Sequence, residues 1–246
     1  MQNYISEKAT IGSNVTLGSN VIINDDVHIS DGAVIGSFSE IGLSNKESSS
    51  TFIGKNTRVN SHSIIYSSTE IGDNCTIGHR VLIREKTIIK SNTQIGSFSD
   101  LEGYTNIDNY VKIHSNVHIG QFSRIKSYSW VFPYCILTND PTPPSDYLVG
   151  PVINEFAIVA TRTTLLPSVS IGFGSFVGAN SLVNRDIPPE TIASGNPINI
   201  KGNINRIKLP KTKNSAYPWA LRYVNDFYPK NLSQRYKELR AKNLKI

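Results

Sequence analysis

Aliphatic side chains recur at every sixth position from the start of the chain: Ile5, Ile11, Leu17, Ile23, Ile29, Ile35 and Ile41. One unit, at Glu47, lacks its aliphatic. The frame then resumes in phase at Ile53 and runs through Ile77, Ile95 and Ile119 to Leu137. Four residues after each aliphatic stands a small or β-branched residue, as at Ala9, Val15, Val21, Thr57 and Cys75. A period of six is neither the 3.6 of a helix nor the simple alternation of a strand. It suits a triangular solenoid, in which each hexapeptide makes one short strand and one corner, and three hexapeptides make a coil. The aliphatic points into the narrow prism. Asn14, Asn20, Asp26, Gly32, Asn56, Asn74 and Asn92 fall where the corners should be, and these residue types tolerate left-handed backbone conformations. A single hexapeptide cannot bury its own aliphatic, so the coils must stack. About 29 units predict nearly ten coils, a prism about 45 Å long at about 4.8 Å per coil.

The phase is lost once. After Leu137 comes the proline-rich stretch TNDPTPPSDYLVGPV, and the frame returns at Ile153, Val159, Leu165, Ile171, Val177 and Val183. The 16 positions from Leu137 to Ile153 are not a multiple of six. A loop carrying four or ten extra residues must leave the prism at 138–152, and excursions from a rigid scaffold are where function tends to sit. A lesser interruption is expected near 42–52. The solenoid should end near residue 202, leaving 203–246 as an extension. There Trp219, Leu221, Val224 and Phe227 form one apolar stripe, and Leu232, Tyr236, Leu239 and Leu244 another. Both read as helices that cap or brace the open end of the prism, which would otherwise present an unpaired edge.

Composition narrows the function classes. With 18% charged and 39% hydrophobic residues, the chain is neither disordered nor membrane-embedded. Its first residues lack a basic and apolar leader pattern, so a cytoplasmic location is expected. Two cysteines, Cys75 and Cys135, both at interior positions of the frame, are too few for a disulfide framework. The net charge of +6 is concentrated after residue 200. That favours a solvated tail, or attraction of small anions such as cofactor phosphates, over a nucleic-acid surface.

Residues 153–202 carry a more specific signal: Leu166-Pro167, Val177-Gly178-Ala179, Asp186-Ile187-Pro188-Pro189 and Gly195-Asn196-Pro197. In register with the repeats, they resemble the closing coils of the hexapeptide-repeat acyltransferases. Thr138-Asn139-Asp140-Pro141 with Pro144-Ser145 is similar to a subgroup that acetylates nucleotide-linked amino sugars. The resemblance implies an all-β, left-handed parallel β-helix with a short C-terminal α-helical segment. It also implies a homotrimer, with acetyl-CoA lying between neighbouring prisms as co-substrate and no metal. Ala160, Thr161, Gly178 and Ala179 would then flank the pantetheine arm. Their small side chains would let it approach the backbone, since Val159 and Val177 lie 18 residues, one coil, apart. Asn196 and Pro197 close that groove, and Lys201 and Arg206 could pair with phosphates.

Acyl transfer needs a proton acceptor, a polarised thioester carbonyl and the two reactants held together. Asp140 could accept the proton or orient the acceptor, and Asn139 could bind a sugar oxygen, although an Asn-Asp-Pro sequence also serves turns. Of the five histidines, all expected on one class of prism face, His114 directly follows Ile113 and should point outward near the loop. Glu102 should stack two coils below Thr138. Two other function classes use this kind of fold. In a zinc carbonic anhydrase of the γ type, three histidines would share a metal. Here His114 and His118 hold the second and sixth positions of one hexapeptide and should point apart. The other class, a non-catalytic scaffold, fits poorly with the long loop. The expectation is therefore acetyl transfer to a sugar, on an amine of a nucleotide-linked amino sugar or on a hydroxyl of a polysaccharide precursor.

Overall fold

The computed structural model describes residues 2–44, 49–223 and 225–244. The unit at Glu47 and the stripe position Val224 lie outside the described residues. Strands of mostly two residues stack into three parallel sheets of ten, nine and eleven strands, which form the three faces of a prism. Face A carries Ile23, Ile41, Ile65, Ile83, Leu101, Ile119, Leu137, Leu165 and Val183 on its inner side. Face B carries Ile29, Ile53, Ile71, Ile89, Ile107, Ile125, Ile153 and Ile171, and face C runs from Ile35 to Val177. Consecutive coils pair residues 18 apart, as in Ile77 with Ile95 and Ile95 with Ile113. Each aliphatic is thereby sandwiched between its equivalents above and below, and all join one continuous buried core.

Turning a corner in one or two residues requires a positive φ, and all seven corner residues named from the sequence have one, between 54° and 70°. The corners also take residues with no such preference: Phe98, Tyr104, Tyr110, Phe122, Tyr128, Tyr134 and Phe156. A left-handed conformation costs such residues about 1–2 kcal/mol each. Part of that cost is offset by ring stacking between coils, for example Tyr110 on Tyr128 and Tyr128 on Phe156, with centroids 5.4 and 4.6 Å apart.

The phase break resolves into ten extra residues. Leu137 on face A is followed by Ile153 on face B, and along face A Leu137 pairs with Leu165, 28 rather than 18 residues on. The earlier interruption, between Ile41 and Ile53, also leaves face A and returns on face B. Both excursions thus issue from the same edge. Near the end, the Asp-Ile-Pro-Pro motif shortens one unit. Ile187 takes the face-B interior place beside Ile171, and the Asp186 carboxylate accepts the Ser170 amide at 2.7 Å.

Two expectations about the C-terminus need correction. The prism is closed by an antiparallel hairpin, Thr191–Ser194 with Asn199–Asn203, whose tip is Gly195-Asn196-Pro197. The following segment lies along the prism's flank instead of over its end. Among the described residues only Leu232–Leu244 (α1) is an α-helix, and Trp219–Leu221 forms a single 3-10 turn. Pro218 and Pro229 bracket the first stripe and leave at most a short helical segment between them. Its aromatics serve instead as a filler, packing with Tyr228, Leu232 and Tyr236 on Tyr128, Phe156, Ile158 and Phe173 at the B–C edge. Arg240 of α1 grips Glu190 through two hydrogen bonds of 2.5 and 2.8 Å.

Candidate active site

Residues that flank an interior aliphatic point outward. Those from equivalent positions in successive coils form columns up a face. On face A, Asp100, His118 and Ile136 make one column, and Glu102, Gly120 and Thr138 the next. His118 therefore sits directly above Asp100, with Nδ1 3.3 Å from an Asp100 carboxylate oxygen and Nε2 3.5 Å from Glu102. The hydrogen bond that His118 donates to Asp100, with the charge of Glu102, holds the imidazole above its ordinary pKa, against the opposing effect of partial burial. One coil higher, the excursion begins. Asn139 lies over Gly120, where a Cβ would come within 3.1 Å of its side-chain carbon. The loop closes where Val149 donates to the Asn139 carbonyl at 2.8 Å, and Gly150 lies so near Ser123 that a Cβ would sit 2.2 Å from its amide nitrogen.

Asp140 faces into its own loop. Its carboxylate accepts the Ser145 hydroxyl at 2.7 Å and the Ser145 and Thr142 amides at 3.0 Å each. These bonds, the Ser145 hydroxyl above all, hold its carboxyl below the usual range. It is an ionised cap that shapes the loop.

The five histidines do not share one class of face. His28 is on face B, stacked on Phe52. His62 is at the C–A corner, and His79 reaches Ser61 from the same edge at 2.9 Å. His114 lies on face C and His118 on face A. His114 stacks on Phe132 with centroids 4.6 Å apart. Burial, reinforced by Lys112, holds its pKa below the ordinary value. His114 points outward as the frame implies, but from face C, across the prism from the A–B edge where the loop leaves, and so not near the loop as expected. The frame gave no role to His118, whose signal was the 18-residue separation from Asp100.

Ala160 and Gly178 follow Val159 and Val177 on face C in adjacent coils, with Thr161 and Ala179 at the C–A corner beside them. At two lower coils the corner amide is satisfied by a side chain one coil on, whereas at Ser97 it is open. His79 donates to Ser97 Oγ and Ser19 to Ser37 Oγ, each at 3.0 Å. The residues facing Thr161 and Ala179 are Ala179 and Gly195, which carry no acceptor. Their two N–H groups have no partner among the described residues and point out one coil apart. This cradle runs toward the hairpin, where Lys201 and Arg206 are exposed and the Arg206 guanidinium donates to the Lys201 carbonyl at 2.9 Å.

The family description "bacterial transferase hexapeptide (six repeats)" matches residues 8–42 and 50–85. The protein named "Putative acetyltransferase YvoF" of Bacillus subtilis is 39% identical over 56 residues, which cover 22% of this chain and 33% of the relative. A Staphylococcus aureus protein named as an acetyltransferase is 44% identical over 53 residues, 22% and 27% of the two chains. The matches thus span a third or less of these relatives' length. Among solved structures, the Arabidopsis UDP-N-acetylglucosamine acyltransferase superposes with a TM-score of 0.62 over 82% of this chain and 73% of that one, at 17% identity. That likeness is one of fold.

Residues 8–42 and 50–85 thus carry the repeats of the bacterial transferase hexapeptide family. In hexapeptide-repeat terms, the repeats build a straight wall. What singles out one level of it is the coincidence on face A of a carboxylate-paired histidine with the base of the longest described excursion.

Proposed function

We propose that the protein transfers an acetyl group from acetyl-CoA to a sugar. The first choice of acceptor is the amine of a nucleotide-linked amino sugar, and the second a hydroxyl of a surface-polysaccharide precursor. The observation that carries this reading is the Asp100–His118–Glu102 cluster directly below the Asn139-Asp140 loop. His118, in its neutral form, takes the proton from the acceptor's hydroxyl or amine as the nitrogen or oxygen attacks the thioester carbonyl. Asp100 stabilises the imidazolium so formed. When the tetrahedral intermediate collapses, the C–S bond breaks and the imidazolium returns the proton to the CoA sulfur. Glu102, next to His118 Nε2, is placed to hold the acceptor's polar groups, as is Asn139 above it. Asp140 orders the loop that carries Asn139.

The fit of acetyl-CoA rests on the open amides of Thr161 and Ala179, which can donate to the carbonyls of the pantetheine arm. Gly178 and Ala160 leave that stretch bare, and Asn196-Pro197, Lys201 and Arg206 stand at the phosphate end. The reading includes a homotrimer. The cradle lies at the C–A edge and the loop at the A–B edge. Face A also exposes Ile22, Ile64 and Ile136, in the same outward column as Asp100 and His118, apolar groups that a neighbour would cover where one subunit's loop meets the next subunit's cradle. Exposed Tyr147 at the loop tip would contact that neighbour. A cytoplasmic site of action accords with a cofactor of that compartment; no described helix is long and apolar enough to cross a membrane. The test is acceptor-dependent release of CoA by the purified protein, lost in His118→Ala. Sedimentation equilibrium checks the trimer, and a monomer that binds CoA would refute it.

A further inference from the structure

On face C, the column that follows the interior aliphatics reads Gly78, Gly96, His114, Phe132 in successive coils. The His114 and Phe132 rings stack with an interplanar angle of 19°. Coils repeat at about 4.8 Å, so each can contribute one rung to a ladder of rings. The ladder stops at His114 because the next two rungs are glycine. Those glycines are set by coil stacking: a Cβ on Gly96 would lie 2.3 Å from the His114 carbonyl carbon, and one on Gly78 2.4 Å from the Ser97 amide nitrogen. The consequence is a groove of about 600 Å³, within the size range of small-molecule sites. Gly78 and Gly96 floor it, Thr76 and Gln94 border it, and His114 and Trp130 close one end. Tyr223, from the flanking segment, overhangs it. Neither the Gln94 carboxamide nor the Ser97 amide has a hydrogen-bond partner among the described residues.

We propose that this groove is a nucleobase site, in which a heteroaromatic ring takes the missing rung on the face of His114 remote from Phe132 and meets Gln94 and Ser97 along its edge. Several features suit such a ring. The floor is bare backbone, the end wall is a neutral imidazole whose charge is disfavoured by burial and by Lys112, and the polar groups sit at the margin. Two molecules in the proposed reaction carry a nucleobase: the acceptor's nucleotide and CoA. The groove lies on the N-terminal side of the Ala160–Gly178 cradle, away from Lys201 and Arg206. That assigns it to the acceptor's base, an assignment that rests on the proposed function.

The probes are UDP, GDP, dTDP, ADP and CoA, with ribose 5-phosphate as the ring-free control, titrated into the full chain and followed by calorimetry and by the emission of Trp130. At least one nucleoside diphosphate should bind, and ribose 5-phosphate should not. Base stacking on a ring is worth about 1–3 kcal/mol, so His114→Ala should weaken binding at least about fivefold, whereas His114→Phe should keep it within about twofold. Gln94→Ala should weaken it with the ring intact, and it serves with His114→Phe if His114→Ala fails to melt cooperatively. Absence of nucleoside diphosphate binding, or affinity unchanged in both His114→Ala and Gln94→Ala, would overturn the site. Displacement of the bound diphosphate by CoA would overturn its assignment to the acceptor. Failure of the proposed reaction is separable: it would show as nucleotide binding that depends on His114 without any acetyl transfer.

Discussion

Replacing Asp100 by Asn isolates the electrostatic part of the proposed chemistry while keeping the shape of the side chain. In the native protein the imidazole of His118 is held above its ordinary pKa mainly by its hydrogen bond to Asp100. Losing the negative charge should lower the His118 pKa toward or below 6.5, the ordinary value for histidine. A hydrogen bond to a charged group is worth about 1.5–3 kcal/mol. Here both partners are substantially exposed, with 38% of the His118 side chain and 43% of the Asp100 side chain accessible, so solvent screening puts the effect at the low end. The expected fall in kcat/KM is about tenfold, against about 10²–10⁴-fold for His118→Ala. The pH profile separates this from a structural defect. The base works deprotonated, so activity should rise with pH through the His118 pKa. That acid limb should lie above pH 6.5 in the native enzyme and move to lower pH in Asp100→Asn. Initial rates of CoA release from pH 5 to 9 measure it. An acid limb that stays in place in Asp100→Asn, or near-full turnover in His118→Ala, would refute the assignment and return Glu102 or Asp140 to consideration as the base.

Asp140→Ala should act through the loop: the Ser145 and Thr142 bonds are lost, Asn139 is less well held, and KM for the acceptor should rise about tenfold with CoA affinity unchanged; a kcat loss of the size seen in His118→Ala would contradict the capping role. Ile95→Ala should destabilise the prism by about 2–5 kcal/mol in denaturant unfolding, because Ile95 is 2% exposed between the fully enclosed Ile77 and the nearly enclosed Ile113. The same change at the half-exposed Ile11 of an end coil should cost far less, and equal losses would argue against a stacked core. Burial pushes the Cys75 and Cys135 thiols up to about 11, so neither should react with a disulfide reagent at pH 8 until the protein is unfolded, when both should; rapid reaction of the native protein would contradict their interior placement.

The repeat made the fold legible because every coil repeats one requirement. An aliphatic must enter the prism every sixth residue, so the faces, the 18-residue pairing and the location of the long loop could all be counted off. The count could not choose between four and ten extra residues, because that depends on which face Ile153 joins. The end of the chain was legible only in part. Trp219 and Phe227 were spaced as if for a helix, but nothing in a periodicity reports that their partners are corner aromatics such as Tyr128 and Phe156, more than sixty residues away.

The candidate site was half legible for a related reason. Glu102 was assigned to the column below Thr138 because it follows Leu101. The residue before an interior aliphatic faces outward just as well, and this second position holds both Asp100 and His118. Asp140 drew attention through its motif, yet its partners, Thr142 and Ser145, are two and five residues away, so its turn role was written in the local sequence. The open amides of Thr161 and Ala179 could be seen only once the backbone bonds of the corners were in view.

The most direct test of acetyl transfer is to incubate the purified protein with acetyl-CoA and a panel of nucleotide-linked amino sugars and neutral sugar precursors, following CoA thiol release and acceptor mass together. The proposed function predicts CoA release that depends on the acceptor, a gain of one acetyl group by at least one amino sugar, and loss of both in His118→Ala. CoA release with no acetylated sugar in any member of the panel, or acetylation that persists undiminished in His118→Ala, would contradict the account.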